Sequence, residues 1–229
     1  MTSRPINLAI VTMFTLFRKA LKSILSERNN LNVCVLAADF QALFTELKYT
    51  SVDVLILDIT SPQEAIAEIL RELLNEYKDL KIVVVSDCTD YDLISYLIDS
   101  GIHAFISRSD EPEEMIRAIQ SVVNYGFYSN RLLTEALYRN KQNSLRNLSV
   151  DGRTTLSERE KKILQLIWEE KSNKEMAENL FLGIRSIEKI RQDMKEKIGV
   201  KSTIGLMKFA IDKRIIDIRT AKAATNPNG

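Results

Sequence analysis

Along residues 1–128, short continuous apolar runs alternate with amphipathic stretches, five times over. The runs are "NLAIV", "NVCVLAA", "DVLILDI", "KIVVVS" and "HAFIS". Apolar residues recur at i, i+3 and i+4 near 15–28, 39–48, 63–77, 90–99 and 112–125, as "AEILRELLNEY" displays. Nearly continuous apolar strands separated by amphipathic helices predict an α/β fold with a parallel sheet covered on both faces. Gly126 follows the fifth helix as its expected terminator.

Beyond this unit the pattern changes. Residues 129–140 predict a short helix, and 141–155, "KQNSLRNLSVDGRTT", are polar and without a period, as an interdomain linker would be. From Leu156 everything reads as helix. Ser157 with Glu160 and Ser172 with Glu175 have the spacing of capping boxes. Two further helices are expected near 184–198 and 202–214, followed by a frayed tail over 219–229. The expected organisation is an α/β domain over 1–128, a linker with a short helix over 129–155, and an all-α domain over 156–218.

The chain has 229 residues, enough for two domains that each bury a core. Its 45% apolar and 28% charged content is that of a soluble globular protein. With no membrane-length apolar run and no secretory signal, the expectation is a cytoplasmic protein. Cys34 and Cys88 are isolated and expected to be buried, reduced thiols, and His103 is the single histidine. A zinc site or a His-based triad is therefore not expected. A net charge of +1 hides an asymmetry: residues 1–130 hold 11 Lys+Arg against 18 Asp+Glu, whereas 155–229 hold 16 against 11. An acidic half and a basic half point to nucleic acid as a partner of the second only.

The most specific signal lies in the basic half. The segments "LSERE", "SNKEMA", "LFL" and "KIGVKS" fall in register over roughly 55 residues and resemble the LuxR-type helix-turn-helix. The resemblance implies four helices, the third of which lies in a major groove of double-stranded DNA. Its exposed face is expected to carry Arg185, Ser186, Glu188, Lys189, Arg191 and Gln192. Glu188, Lys189 and Gln192 fall at the base-facing positions, with Arg185, Ser186 and Arg191 nearer phosphates. The chemistry agrees, since Lys can donate to guanine, Gln can pair with adenine and Glu can accept from cytosine N4. Three residues depart from the family pattern. Gly183 replaces a Ser cap, Glu170 replaces a turn glycine, and Ile190 stands where His is common.

With "DVLILDIT", "KIVVVSD" and "GIHAFISRS" at its third, fourth and fifth strands, the first domain resembles a CheY-like receiver. The whole chain thus resembles a NarL/FixJ-type response regulator. This implies a doubly wound five-stranded sheet of order 2-1-3-4-5, with the site beyond the strand ends. Thr12, Met13, Asp58, Ser86 and Arg108 are placed there. Asp58 takes the position of the phosphoacceptor, Ser86 that of the switch hydroxyl, and Arg108 replaces the family's Lys. The two acids that would hold Mg2+ after the first strand are replaced by Thr12 and Met13, and the next carboxylate, Glu27, is a helix away. Without such acids, Mg2+ is not expected as a cofactor. Met13 or Phe14 is expected to fill the vacated pocket, with Asp58 held by Arg108 or Ser86.

These residues predict a DNA-binding transcription regulator with a degenerate receiver, independent of phosphorylation, and not an enzyme. The expected partners are duplex DNA and a second copy of the chain, paired through receiver helices near 90–99 or 112–125. A protein partner or ligand at the receiver is left open. Two other readings remain: a conventional regulator switched by phosphorylation of Asp58, and an adaptor whose helices bind protein.

Overall fold

The computed structural model describes residues 4–60, 65–146 and 156–216. Expected linker residues 147–155 and the tail lie outside them. Five strands form one parallel sheet: β1 (Ile6–Val11), β2 (Leu31–Ala37), β3 (Val54–Asp58), β4 (Lys81–Ser86) and β5 (Ala104–Ser107), in the order β2-β1-β3-β4-β5. The central strands are buried on both sides, which is why they read as unbroken apolar runs, while edge strand β2 mixes buried and exposed positions.

Helices α1 (Thr15–Ser26) and α5 (Pro112–Asn124) cover one face of the sheet through Leu21, Leu25, Ile116, Ile119 and Val122. The other face is covered by α2 (Phe40–Leu47), α3 (Ala65–Glu76) and α4 (Tyr91–Ser100). Asp39 and Asp90 cap α2 and α4 with their side chains, supplying partners for amide groups that the first turn leaves free. Gly126 is left-handed, with a φ of 86°, and stops the chain just beyond α5 as its position foretold.

Helix α6 spans Arg131–Arg146, running past residue 140 into the stretch expected to be linker. Its first half explains its presence, since Leu133, Ala136 and Leu137 are buried. Four helices follow: α7 (Glu158–Trp168), α8 (Asn173–Leu180), α9 (Ile184–Ile198) and α10 (Thr203–Asp212). Both expected capping boxes are formed, at the starts of α7 and α8.

The apolar core of the second face continues through α6 into the C-terminal helices. Helices α6 and α10 pack against α4, while Asp92 and Tyr96 on it stay exposed. Lys208 on α10 bridges to Asp99 on α4 at 2.6 Å and to Ser95 at 3.0 Å. Two left-handed glycines sit where the halves meet. A Cβ on Gly101 would come within 2.9 Å of Lys201 Cβ, and one on Gly126 within 2.8 Å of Arg191 Nη2. Glycine is needed at both places for backbone angle and for closeness.

Candidate functional site

The parallel register delivers four of the expected pocket residues to one end of the sheet. Val11 pairs with Leu57, Asp58 with Val85, and Ser86 with Ser107. Thr12, Asp58, Ser86 and Arg108 therefore sit just at or beyond the carboxyl ends of their strands.

The Asp58 side chain is only 2% exposed, yet both its oxygens have partners. Thr12 Oγ1 donates to Oδ2 at 2.5 Å. Arg108 donates to Oδ1 from Nε at 2.9 Å and again from Nη2. Arg108 Nη1 also reaches Asp87 at 2.7 Å. Partial burial works against the Arg108 charge, but the bonds to Asp58 and then Asp87 outweigh it and raise the guanidinium above its ordinary value. Its Cζ lies 5.8 Å from the Phe14 ring centre and 6.0 Å from that of Phe17, within cation–π range.

Arg108 holds Asp58, one of the two arrangements expected, but the filling of the pocket differs from expectation. Neither Met13 nor Phe14 fills it: Met13 is 70% exposed and Phe14 46%. Thr12 is the buried residue, because the chain leaves β1 with Thr12 turned inward and its neighbour turned out. Of the two expected holders of Asp58, Arg108 bonds it, and Ser86 has a different partner. It is buried, and its hydroxyl accepts from the Cys88 amide at 3.2 Å. Cys34 and Cys88 are free thiols, half-buried rather than buried. Among the described residues, no three His, Cys, Asp or Glu side chains gather as a metal-holding group.

The second site is α9 and the turn before it. Helix α8 ends at Phe181, which is left-handed with a φ of 53°, and Gly183 caps α9 without a side-chain bond. Arg185, Ser186, Glu188, Lys189 and Gln192 are all exposed, and Gln192 donates to Glu196 at 2.7 Å. Glu170, in the preceding turn, is left-handed with a φ of 55°, at a cost of about 1 kcal/mol for a residue other than glycine.

Arg191 is the exception on this helix. It is 9% exposed and faces the receiver rather than solvent. Nη1 donates to Asn173 Oδ1, and Nη2 donates to the Tyr125 carbonyl at 2.8 Å and to Thr203 Oγ1 at 3.0 Å. Burial pulls this guanidinium down to about 10, with the charge of Glu188 opposing. Lys195, one turn further on, is pulled down to about 8 by burial and by Lys81 and Arg191. His103, buried at the start of β5, accepts from the Ile82 amide through Nδ1 at 3.1 Å. Burial, with Lys81 and Lys195 nearby, holds its pKa well below the ordinary value. Sequence reasoning missed this cationic seam. Its only sequence signal was Gly126, whose missing side chain leaves room for Arg191.

Known proteins share both halves of this arrangement. Residues 9–120 match the response regulator receiver domain, and residues 154–210 match the bacterial regulatory proteins of the luxR family. The oxygen regulatory protein NreC of Staphylococcus carnosus is 26% identical over 204 residues, covering 87% of this chain and 94% of that protein. NreC of Staphylococcus epidermidis is 27% identical over 205 residues, with the same shares covered. Among solved structures, the RcsB response regulator of Salmonella typhimurium is similar with a TM-score of 0.53 and 19% identity, over 90% of this chain and 98% of that one. An RcsB–DNA complex is similar with a TM-score of 0.53 and 20% identity, over 91% and 99%. The chain is a response regulator, with a receiver domain followed by a LuxR-type helix-turn-helix DNA-binding domain. Among the described residues, no helix is long and apolar enough to cross a membrane.

Proposed function

We propose that this response regulator binds duplex DNA as a homodimer and controls transcription without phosphorylation of Asp58. The observation that carries the reading is the closed circuit at Asp58, with Thr12 Oγ1 on one oxygen and Arg108 on the other. Mg2+ needs several oxygen donors in near-octahedral geometry. Among the described residues, Arg108 bonds two carboxylates there, Asp58 and Asp87. At the positions of the metal-binding acids stand a buried hydroxyl and an exposed thioether. The residues present do not fit the ion. Phosphoryl transfer relies on charge neutralisation and positioning, and here a single arginine would supply both.

DNA binding draws support from the exposed polar face of α9, from the basic C-terminal half, and from the family match of residues 154–210. Solved RcsB structures include two dimers bound to two parallel DNAs. A two-fold dimer of this chain would set two α9 helices about one DNA turn, ~34 Å, apart. Of the two receiver helices proposed for pairing, α4 is partly covered by α6 and α10.

Incubation with a small phosphodonor and Mg2+, followed by intact-mass analysis, tests the reading. No added phosphoryl mass is expected. Stoichiometric label on Asp58 would replace it with a conventional phospho-switched regulator.

A further inference from the structure

The turn between α8 and α9 carries two apolar side chains that no part of the fold uses. Phe181 is 95% exposed and Ile184 46%. Phe181 is also left-handed, a backbone state that disfavours any side chain bearing a Cβ. The protein therefore holds a large aromatic in water at a position where glycine would give a more stable chain. By contrast Leu182, between them, is partly buried against the core, and Ile187 is fully buried. The outward placement of Phe181 and Ile184 is a local departure from the pattern, not a general looseness of the turn.

Their neighbours suggest what covers them. Ile184 is the first residue of α9, one turn before Glu188 on the same side, and is followed directly by exposed Arg185 and Ser186. In a helix-turn-helix the N-terminal residues of the second helix reach base edges in the major groove. The apolar feature of that groove is the thymine C5-methyl group, which apolar side chains such as Phe contact. The apolar pair is thus continuous with the DNA-reading face, and flanked by Arg185, the exposed cation that would meet a phosphate.

We propose that Phe181 and Ile184 read thymine methyl groups at the edge of the site reached by the start of α9, adding specificity to the hydrogen bonds from Glu188, Lys189 and Gln192. This rests on the DNA-binding reading above. It also makes two residues outside the polar face determinants of the operator.

The test uses the full chain and duplexes it selects from a random-sequence library. Deoxyuridine then replaces thymidine one position at a time, removing the methyl and nothing else. The wild type should lose about fourfold in affinity per methyl read, the amount expected for one buried carbon. Ile184→Ala and Phe181→Gly should bind the thymine duplex more weakly, and each should be indifferent to one of those replacements. Phe181→Gly should also unfold at a higher temperature than the wild type, so that its weaker binding cannot come from unfolding. The proposal is overturned if no replacement affects the wild type, or if both variants keep its full methyl sensitivity. It is equally overturned if the variants lose self-association while DNA affinity is unchanged, since a second copy would then be the occupant. Selection of no preferred duplex would remove the DNA-binding reading itself, a separate result from preferred duplexes without a methyl effect.

Discussion

Thr12 and Asp58 stand side by side at the ends of β1 and β3, the hydroxyl donating to the carboxylate at 2.5 Å. On the proposed reading, this neutral donor stands where the resemblance implies an anion, so that a site that would need a cation is already satisfied. The reverse substitution is informative. In Thr12→Asp two carboxylates would meet at hydrogen-bonding distance with one arginine between them, and like charges this close raise each other's cost. The variant should melt at a lower temperature than the wild type in chelator, and millimolar Mg2+ should recover part of the loss. Thermal unfolding with and without Mg2+ checks this, and the wild type should not respond to the ion.

Arg108 is the other half of the circuit. Its removal leaves Asp58, with a side chain 2% exposed, facing Thr12 alone. Breaking a buried pair by deleting one partner is costly, but Arg108 is about one-fifth open to solvent, which reduces the loss. Arg108→Ala should destabilise by about 2–3 kcal/mol in denaturant unfolding. Arg108→Lys should cost less yet still be visible, because an ammonium cannot donate twice to Oδ1 and once to Asp87 as the guanidinium does.

Arg191 and Arg185 lie on the same helix but should behave differently toward DNA. Arg185 is exposed, whereas Arg191 is engaged with Asn173, Tyr125 and Thr203. In affinity measurements at several salt concentrations, Arg185→Ala should reduce the salt slope by about 1, as loss of one phosphate contact does. Arg191→Ala should leave that slope unchanged and lower the unfolding temperature instead. Lys189→Ala should weaken a selected duplex by roughly 1–3 kcal/mol if Lys189 reads a base.

Much of this was legible along the chain, and the exceptions have physical causes. The strands announced themselves because double burial demands unbroken apolar runs, and "DVLILDI" delivered Asp58 to the correct end of β3. The capping boxes at Ser157 and Ser172 were readable because they are local in sequence. Arg191 was not, since a helical wheel assigns a charged residue to solvent, and only the approach of Tyr125, 66 residues away, buries it. The end of α6 at Arg146 was hidden for a related reason. Leu133, Ala136 and Leu137 are buried in its first half, whereas the sequence that follows, "KQNSLR", is polar and carried no period. At Thr12 the error was one of parity: the residue turned inward was the polar one, and the bulky neighbours face out.

The seam between the halves should respond to pH through Lys195. Its pKa is near 8 in the folded protein, below the ordinary 10.5, because burial and the charges of Lys81 and Arg191 disfavour its proton, with Asp79 and Glu196 opposing. The unfolded chain therefore holds more protons than the folded one between about pH 8 and 10.5, so this group adds stability as pH rises through that window. Below pH 8 the buried charge is a full cost. Lys195→Met should raise the melting temperature most at pH 7, and the difference from wild type should shrink by pH 10.

The central claim is that DNA binding does not pass through a phosphorylated Asp58. Its most direct test is genome-wide occupancy in cells, comparing the wild type with Asp58→Asn at matched protein levels. The amide keeps an acceptor for Thr12 while removing the acid. Equal occupancy at the same sites is the result predicted here. Loss of occupancy in Asp58→Asn, with the protein folded and equally abundant, would contradict it and return the receiver to the conventional phospho-switch.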